Sequence, residues 1–270
     1  MAVETGGKLL LVGCGKMGGA MLEGWLARGL AAADVIVAEP VEALRPRKPG
    51  LRSVGSSQDV GETPEIVVLA VKPQTMDAVL PDLRRFADAG AVFLSIAAGK
   101  TLRYFASHLG STAKVVRSMP NTPAAVRQGI TVACAAADVS MAEKTRCQEL
   151  LEAVGQALWV EDEALLDPVT ALSGSGPAYV FLLVEAMAAA GAKLGLTPEM
   201  AMQLARATVA GSGELLRQSS EPASQLRVNV TSPGGTTAEA LEVLMAADGI
   251  QRVFDKALAA ASRRSKELAG

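Results

Sequence analysis

"KLLLVGCGKMGGAMLEGWLARG", residues 8–29, decides the fold of the amino-terminal half. It opens on a short apolar run, turns through Gly13, Gly15 and Gly18, and then takes helical spacing at Met17, Met21, Trp25 and Leu26. A Gly-x-Gly-x-x-Gly pattern is a weak sign by itself. After a strand and at the mouth of a helix it becomes a strong one. The first glycine permits the tight turn and the second lets backbone approach a pyrophosphate. The third lets the helix pack on the strand, so that phosphates rest at the helix N-terminus. The plain alternative is a strand–turn–helix that binds nothing.

The next apolar run, "DVIVAEP", ends at Glu39, about 20 residues past Gly18, where an acid binds the adenosine ribose. A carboxylate there repels a 2′-phosphate and favours NAD(H). Just beyond it, "RPRKPGLR" carries Arg45, Arg47, Lys48 and Arg52. These cations either hold a 2′-phosphate or form a solvated basic loop, so NADP(H) and NAD(H) both stay open.

Three more runs read as buried parallel strands. They end at Ala70-Val71-Lys72-Pro73, Ala97-Ala98-Gly99 and Met119-Pro120-Asn121. Ligands of open α/β sheets lie off the carboxyl ends of the strands, so Lys72, Pro73, Ala97, Ala98, Gly99, Pro120 and Asn121 are expected to face one crevice. "GITVACAA" and "GQALWVED" read as closing strands on the far edge with a helix between them.

Strand signals almost vanish after 163–168. "LTPEMAMQLARATVAGSGELL" has Thr197 as N-cap, Pro198 at the first helical position and Glu199 in the first turn. Asp248-Gly249 breaks to a final helix whose Arg263, Arg264 and Lys266 suit a C-terminus. The fold class is therefore α/β: a Rossmann-like parallel sheet domain over residues 1–163 and an all-helical domain over 164–270. Helices rich in Ala and Leu, in a chain with 3% aromatics, are suited to bury a face against a second subunit.

The chain has 270 residues, 50% of them hydrophobic, and a formal net charge of -2, which recruits neither nucleic acid nor an anionic membrane. The longest uncharged run, 168–184, reads as too short and too broken to span a bilayer. Cys14, Cys134 and Cys147 have no CxxC spacing, so neither a disulfide framework nor a metal site is expected. The start "MAVETGGKLL" has no signal-peptide pattern, and a cytoplasmic protein is expected.

The chemistry is read partly from what is missing. Reduction of a ketone needs a placed acid to protonate the alkoxide. His108, the one histidine, sits in "YFASHLG" as an ordinary helix residue. The β-hydroxyacid dehydrogenases carry a lysine four positions after the last glycine of a Gly-x-Gly turn; here "SGSGPAYVF" puts Val180 there, and Lys193 lies over three turns on. A cyclic iminium already carries its proton and accepts hydride directly. It needs cofactor positioning, an anchor for its carboxylate and a hydrogen bond at nitrogen. A hydroxy- or amino-acid dehydrogenase and a non-catalytic dinucleotide-binding regulator are the other two readings.

"VGCGKMGGAM", "AVKPQ", "SIAAGKTL", "RSMPNTPA", "SGSGPAYVF" and "SPGGTTAEAL" stand in the order and spacing of the pyrroline-5-carboxylate reductases, and the sequence resembles that family over nearly its whole length. The resemblance implies a Rossmann-like domain, and a helical domain that builds an intertwined homodimer, often assembled into a larger homo-oligomer. It implies reduction of 1-pyrroline-5-carboxylate to L-proline, the last step of proline biosynthesis, with NADPH or NADH. It also implies a cofactor site of Gly13, Gly15, Lys16, Met17, Gly18, Glu39, Ala70, Val71, Lys72, Pro73, Ala97, Ala98, Gly99 and Asn121. Glu39 departs from the commoner pattern, where many members carry Ser or Thr.

"NVTSPGGTTAEALEVL", residues 229–244, is the remaining motif. Gly234-Gly235 would turn backbone N–H groups toward a carboxylate at a helix N-terminus. The resemblance makes Val230, Ser232, Gly234, Gly235, Thr236 and Thr237 the substrate site, with the Thr237 hydroxyl at the ring nitrogen as the catalytic group. In that family the site forms between subunits. The structural alternative is a capping box, Thr236-x-x-Glu239, after a Pro-Gly-Gly turn. For "SGSGPAY" the alternatives are a glycine hinge and close packing at Gly174 and Gly176.

Overall fold

A computed structural model describes residues 5–269. The first four residues of the leading segment, and Gly270, lie outside the described residues. The chain separates into two compact units. One runs through Gly174 and regains the chain from Ala261; the other is Ser175–Ala260.

The first unit is a three-layer α/β sandwich. Its elements are β1 (Leu9–Val12), α1 (Lys16–Ala27), β2 (Val35–Ala38), β3 (Arg52–Val54), β4 (Ile66–Leu69), α2 (Met76–Asp88), β5 (Val92–Ser95), α3 (Leu102–Leu109), β6 (Lys114–Met119), β7 (Gly129–Ala135), α4 (Met141–Glu152), β8 (Gly155–Trp159) and the short α5 (Leu166–Val169). The strands lie in the order β3-β2-β1-β4-β5-β6-β7-β8. Leu10 of β1 stands opposite Ile36 of β2 and Val67 of β4, all in parallel register.

The central strands are apolar throughout because helices cover both sheet faces. Leu9 and Leu11 point to a cluster with Met21 and Trp25 of α1 and Leu150 of α4. Leu10 and Val12 point to the other side, against Leu80 of α2 and Phe105 of α3. Each fully buried leucine in these layers contributes about 1.5–3 kcal/mol.

Two details differ from the sequence reading. β7 runs antiparallel to β6, so the sheet is mixed. Only residues 120–128 join these strands, and a parallel crossover needs about a dozen residues or more. The basic stretch is also more than a loop. Arg52, Ser53 and Val54 pair with Ile36, Val37 and Ala38 as a short edge strand that no apolar run announces.

Ser140 caps α4 in a full capping box with Glu143. Glu143 is buried and accepts from the Lys114 ammonium at 2.7 Å and from the Ser140 hydroxyl at 2.7 Å. Burial works to raise its carboxyl pKa, but Lys114 and Ser140 outweigh it and hold it below the usual value. A depressed folded pKa gives stability that is present above the unfolded pKa and is lost as pH falls through the folded one. Glu143→Gln is therefore expected to melt below wild type at neutral pH, with the gap closing as pH falls below about 4; melting curves from pH 7 to 3 check this.

The second unit is helical: α6 (Gly176–Lys193), α7 (Pro198–Gln218), α8 (Ala223–Asn229), α9 (Thr236–Leu244) and the first part of α10 (Ile250–Ala269). The Thr197 hydroxyl caps α7 by accepting from Met200 N–H at 3.2 Å, and Pro198 opens the helix, as the sequence predicts. α6 and α7 meet through small side chains, Ala188, Ala201 and Ala205, with Val184 and Ala192 packed against them. Their outward faces stay open: Phe181, Leu182, Met200 and Leu204 are all exposed. Apolar surface on this scale marks an interface.

The stretch Glu163–Lys193 is long and apolar enough to cross a bilayer by length and composition alone. The uncharged run 168–184 within it is by itself too short and too broken for that. The helical run passes through Gly174 at the end of a π-helical segment, Thr170–Gly174, and continues as α6 from Gly176 to Lys193, which supplies the length.

Candidate active site

The glycine turn is built as its pattern predicts. Gly13 has φ +90, and a Cβ there would stand 2.9 Å from the Ala70 carbonyl oxygen. A Cβ on Gly18 would stand 2.4 Å from the Gly13 carbonyl oxygen, so any side chain would push α1 off the turn. Gly15 faces open space instead. It is the N-cap of α1, with no side-chain cap and no acid in the first turn. Lys16 stands exposed at that positive helix end, where a cation is disfavoured by about 0.3–1 kcal/mol unless an anion joins it. The room at Gly15, the uncapped N–H groups and Lys16 fit a dinucleotide pyrophosphate.

Glu39 follows β2 and is only 5% exposed. One carboxylate oxygen accepts from the Cys14 N–H at 2.7 Å and the other from the Val41 N–H at 2.9 Å. The acid therefore ties the end of β2 to the glycine turn. The basic stretch is likewise engaged. Arg45 donates to the Glu39 carbonyl at 2.7 Å, Lys48 pairs with Glu23 at 2.8 Å, Arg52 with Glu62 at 3.0 Å and Arg47 with Glu42 at 3.8 Å. Cys14 is buried in the turn, and burial, then the Glu39 charge, raises its thiol pKa.

Residues 13–18, 70–73, 97–99 and 121 follow β1, β4, β5 and β6. These are consecutive neighbours in the parallel part of the sheet, so all four segments leave it at the same edge. Gly99 turns with φ +72, and the Thr101 hydroxyl caps α3 by accepting from Tyr104 N–H at 3.1 Å. The Asn121 side chain is committed to bracing: it donates to the Ser173 carbonyl at 3.2 Å and accepts from Ile130 N–H at 2.9 Å.

His108 is a helix residue of α3, as expected. Its Nδ1 lies 2.9 Å from the Tyr104 carbonyl and its Nε2 3.6 Å from Asp77, in a surface group that links α3 to α2. Among the described residues, no group of three or more His, Cys, Asp or Glu is placed to hold a metal ion.

In the second unit, α8 ends at Asn229, which donates to Glu221 at 3.0 Å. Val230 caps that end, Gly234 turns with φ +67, and Gly235 N–H donates to the Ser232 carbonyl at 3.0 Å. The capping box does not form. α9 has Gly235 as its N-cap with no side-chain cap, so Thr236 lies inside the first turn. The hydroxyls of Thr236 and Thr237 are thus not spent on the helix end. In "SGSGPAY", a Cβ on Gly174 would strike Met119 at 2.5 Å, which is close packing, whereas Gly176 faces open space.

A largely buried ion pair at the start of α3 has no signal in the sequence. Arg117 of β6 meets Glu163 at 2.8 Å, and the same carboxylate oxygen accepts from Leu102 N–H at 2.8 Å. Its members lie far apart in the chain, so no local pattern signals it.

Residues 163–268 match a family model described as pyrroline-5-carboxylate reductase dimerisation, and residues 8–99 one described as NADP oxidoreductase coenzyme F420-dependent. A protein of Pseudomonas aeruginosa named pyrroline-5-carboxylate reductase is 41% identical over 265 residues, 97% of each chain. Among solved structures, a pyrroline-5-carboxylate reductase from Coxiella burnetii matches with TM-score 0.90 at 34% identity, covering 98% of this chain and 99% of that one. The pyrroline carboxylate reductase of Plasmodium falciparum, solved with NADP bound, matches with TM-score 0.82 at 30% identity, covering 97% and 98%.

Proposed function

The chain belongs to the pyrroline-5-carboxylate reductase family, and on that premise we propose how its own residues carry out the reaction. It is an NAD(P)-dependent oxidoreductase that reduces 1-pyrroline-5-carboxylate to L-proline, the last step of proline biosynthesis. The dinucleotide supplies the hydride that the imine carbon takes up. The turn at Gly13, Gly15, Lys16, Met17 and Gly18 holds the pyrophosphate, and the ends of β4 and β5, with backbone at Asn121, line the rest of the cofactor site. Ser232 and the N–H groups of Gly234 and Thr236 anchor the substrate carboxylate beside Val230, while Gly235, its N–H tied to the Ser232 carbonyl, shapes the turn. The Thr237 hydroxyl hydrogen-bonds the ring nitrogen, which becomes the secondary amine of proline. No side chain has to deliver a proton, because the iminium nitrogen already carries one.

The observation that carries this reading is the N-terminus of α9. Its N–H groups have no side-chain cap, and a pair of threonines in the first turn leaves the capping role to Gly235. Thr237→Ala is expected to cost about 1–3 kcal/mol of transition-state binding, roughly ten- to a hundredfold in kcat/KM. The assay follows oxidation of NADH or NADPH with 1-pyrroline-5-carboxylate. An unchanged rate removes Thr237 from the mechanism.

For the cofactor, we favour NADH. Glu39 puts a buried carboxylate at the ribose end, and the nearby cations are already engaged with acids or backbone. Like charges about 4 Å apart repel by about 4 kcal/mol at an effective dielectric constant near 20. The ratio of kcat/KM, NADH over NADPH, is expected to exceed one, and Glu39→Ser to move it toward NADPH by roughly tenfold or more. A ratio below one in the wild type overturns this.

The functional division we infer is 1–163 for the dinucleotide and 164–270 for substrate and dimerisation; the family match over residues 163–268 supports it. That match makes the helical part a dimerisation region and gives its open apolar faces an occupant, a second copy of the chain. Further assembly of dimers is expected as a mass above the dimer by light scattering. The three free cysteines, all buried, suit the reducing cytoplasm.

A further inference from the structure

We propose that the last two turns of α10 are a strut that holds the Ala97–Gly99 turn in its dinucleotide-accepting position, with Ser265 as the positioning residue. The inference rests on the reading above that this turn lines the cofactor site.

Residues from Ala261 onward pack with the first unit. Their neighbours in sequence are charged and exposed, yet Ser265 is 6% exposed. A serine inside a helix usually turns to water or bonds back to a carbonyl four residues earlier. Ser265 instead donates to the Asp167 carboxylate of α5 at 2.6 Å, across 98 positions of sequence. Three residues further on, the helix end reaches Gly99. The Leu268 carbonyl oxygen would be 3.0 Å from a Cβ on Gly99, and the Leu268 Cβ 3.3 Å. Gly99 is thus glycine for two reasons: a left-handed φ of +72 and a helix terminus lying on it.

The opposite side of the turn already has a fixed foundation. Ala97 N–H donates to the Ser95 hydroxyl at 3.2 Å, the Ser118 hydroxyl donates to the Ser95 carbonyl at 2.9 Å, and Leu102 N–H donates to Glu163 at 2.8 Å. Between these anchors Gly99 is the conformationally free residue, because glycine populates positive and negative φ about equally. The end of α10 is what restricts it. A loop ordered before its ligand arrives spares the ordering cost on binding, so losing the strut weakens dinucleotide binding while leaving the chemical step intact.

The experiment uses the full-length enzyme, with calorimetric titration of NADH and NADPH and steady-state kinetics on 1-pyrroline-5-carboxylate. Ser265→Ala, and separately deletion of residues 267–270, are expected to raise the dinucleotide Kd and KM about three- to tenfold, the scale of one lost hydrogen bond. The kcat at saturating cofactor and the KM for the imine stay within about twofold, the pattern of lost ground-state binding. Ser265→Thr, which keeps the hydroxyl, restores wild-type Kd. An unchanged dinucleotide Kd in both the alanine and the deletion variant, whether or not either melts earlier, overturns the strut. Ala98→Leu separates this from the cofactor-site reading. If it leaves Kd unchanged, the turn lies outside the cofactor site and both ideas fall. If it weakens binding while the α10 variants do not, only the strut falls.

Discussion

Glu163→Ala is expected to destabilise the protein by about 3–5 kcal/mol, the cost of breaking a buried ion pair by removing one partner. The Arg117 side chain is 6% exposed and Glu163 27%. Without the carboxylate, the buried Arg117 guanidinium loses its counterion, and Leu102 N–H loses its acceptor at the start of α3. For a chain of this size the shift in melting temperature is roughly 6–20 °C, measured at matched protomer concentration because subunit association adds to apparent stability. Glu163→Gln keeps an acceptor for Leu102 and falls between. The double variant Arg117→Met with Glu163→Leu is expected to recover most of the loss, since an apolar pair of similar volume avoids the desolvation cost. A single-variant shift below about 2 °C would show that Arg117 does not depend on Glu163.

Trp25→Ala carries a comparable cost, about 3–5 kcal/mol. Trp25 is fully buried beneath α1, and its indole N–H donates to the Leu150 carbonyl of α4 at 2.9 Å. The site collapses poorly, because Gly24 beside it is already tight: a Cβ there would sit 2.7 Å from Val154. Trp25→Phe keeps much of the volume and leaves Leu150 without its donor, so about 1–3 kcal/mol is expected. Because α1 begins at the glycine turn, dinucleotide affinity is expected to fall with stability in the alanine variant. Thermal melts and cofactor titrations on the same preparations check both, and a stability loss under about 1 kcal/mol for Trp25→Ala would contradict the packing described.

The parts of this protein legible in its sequence are those that repeat a local rule. The glycine turn, the strand ends and the Thr197-Pro198-Glu199 helix start each depend on residues within one turn or one strand. What escaped the reading depends on partners far along the chain or on connection length. β3 has no apolar run because it is a three-residue edge strand. β7 reverses because its connection is too short for a crossover. Thr236 and Glu239 have capping-box spacing, but the helix starts one residue earlier than that motif requires, so Gly235 takes the cap. Asn121 sits at a strand end as expected, yet its side chain is drawn to Ser173 and Ile130. The basic stretch left the cofactor open between two forms. Its cations find carboxylates and carbonyls in the folded chain, which only the three-dimensional arrangement reveals.

The first unit closes on residues that are made long after its sheet. Ser265 and Leu268 leave the ribosome some 90 residues after Gly174, a delay of roughly 5–20 s at ordinary translation rates. During that interval the sheet, its helices and the glycine turn are all present in the nascent chain, while the Gly99 turn lacks its cover. On the strut proposal, the last roughly three- to tenfold of dinucleotide affinity follows only once Ser265 and Leu268 have emerged, well after the sheet forms. A chain that stops before Ser265 would keep the sheet and its glycine turn but would lack the cover over Gly99.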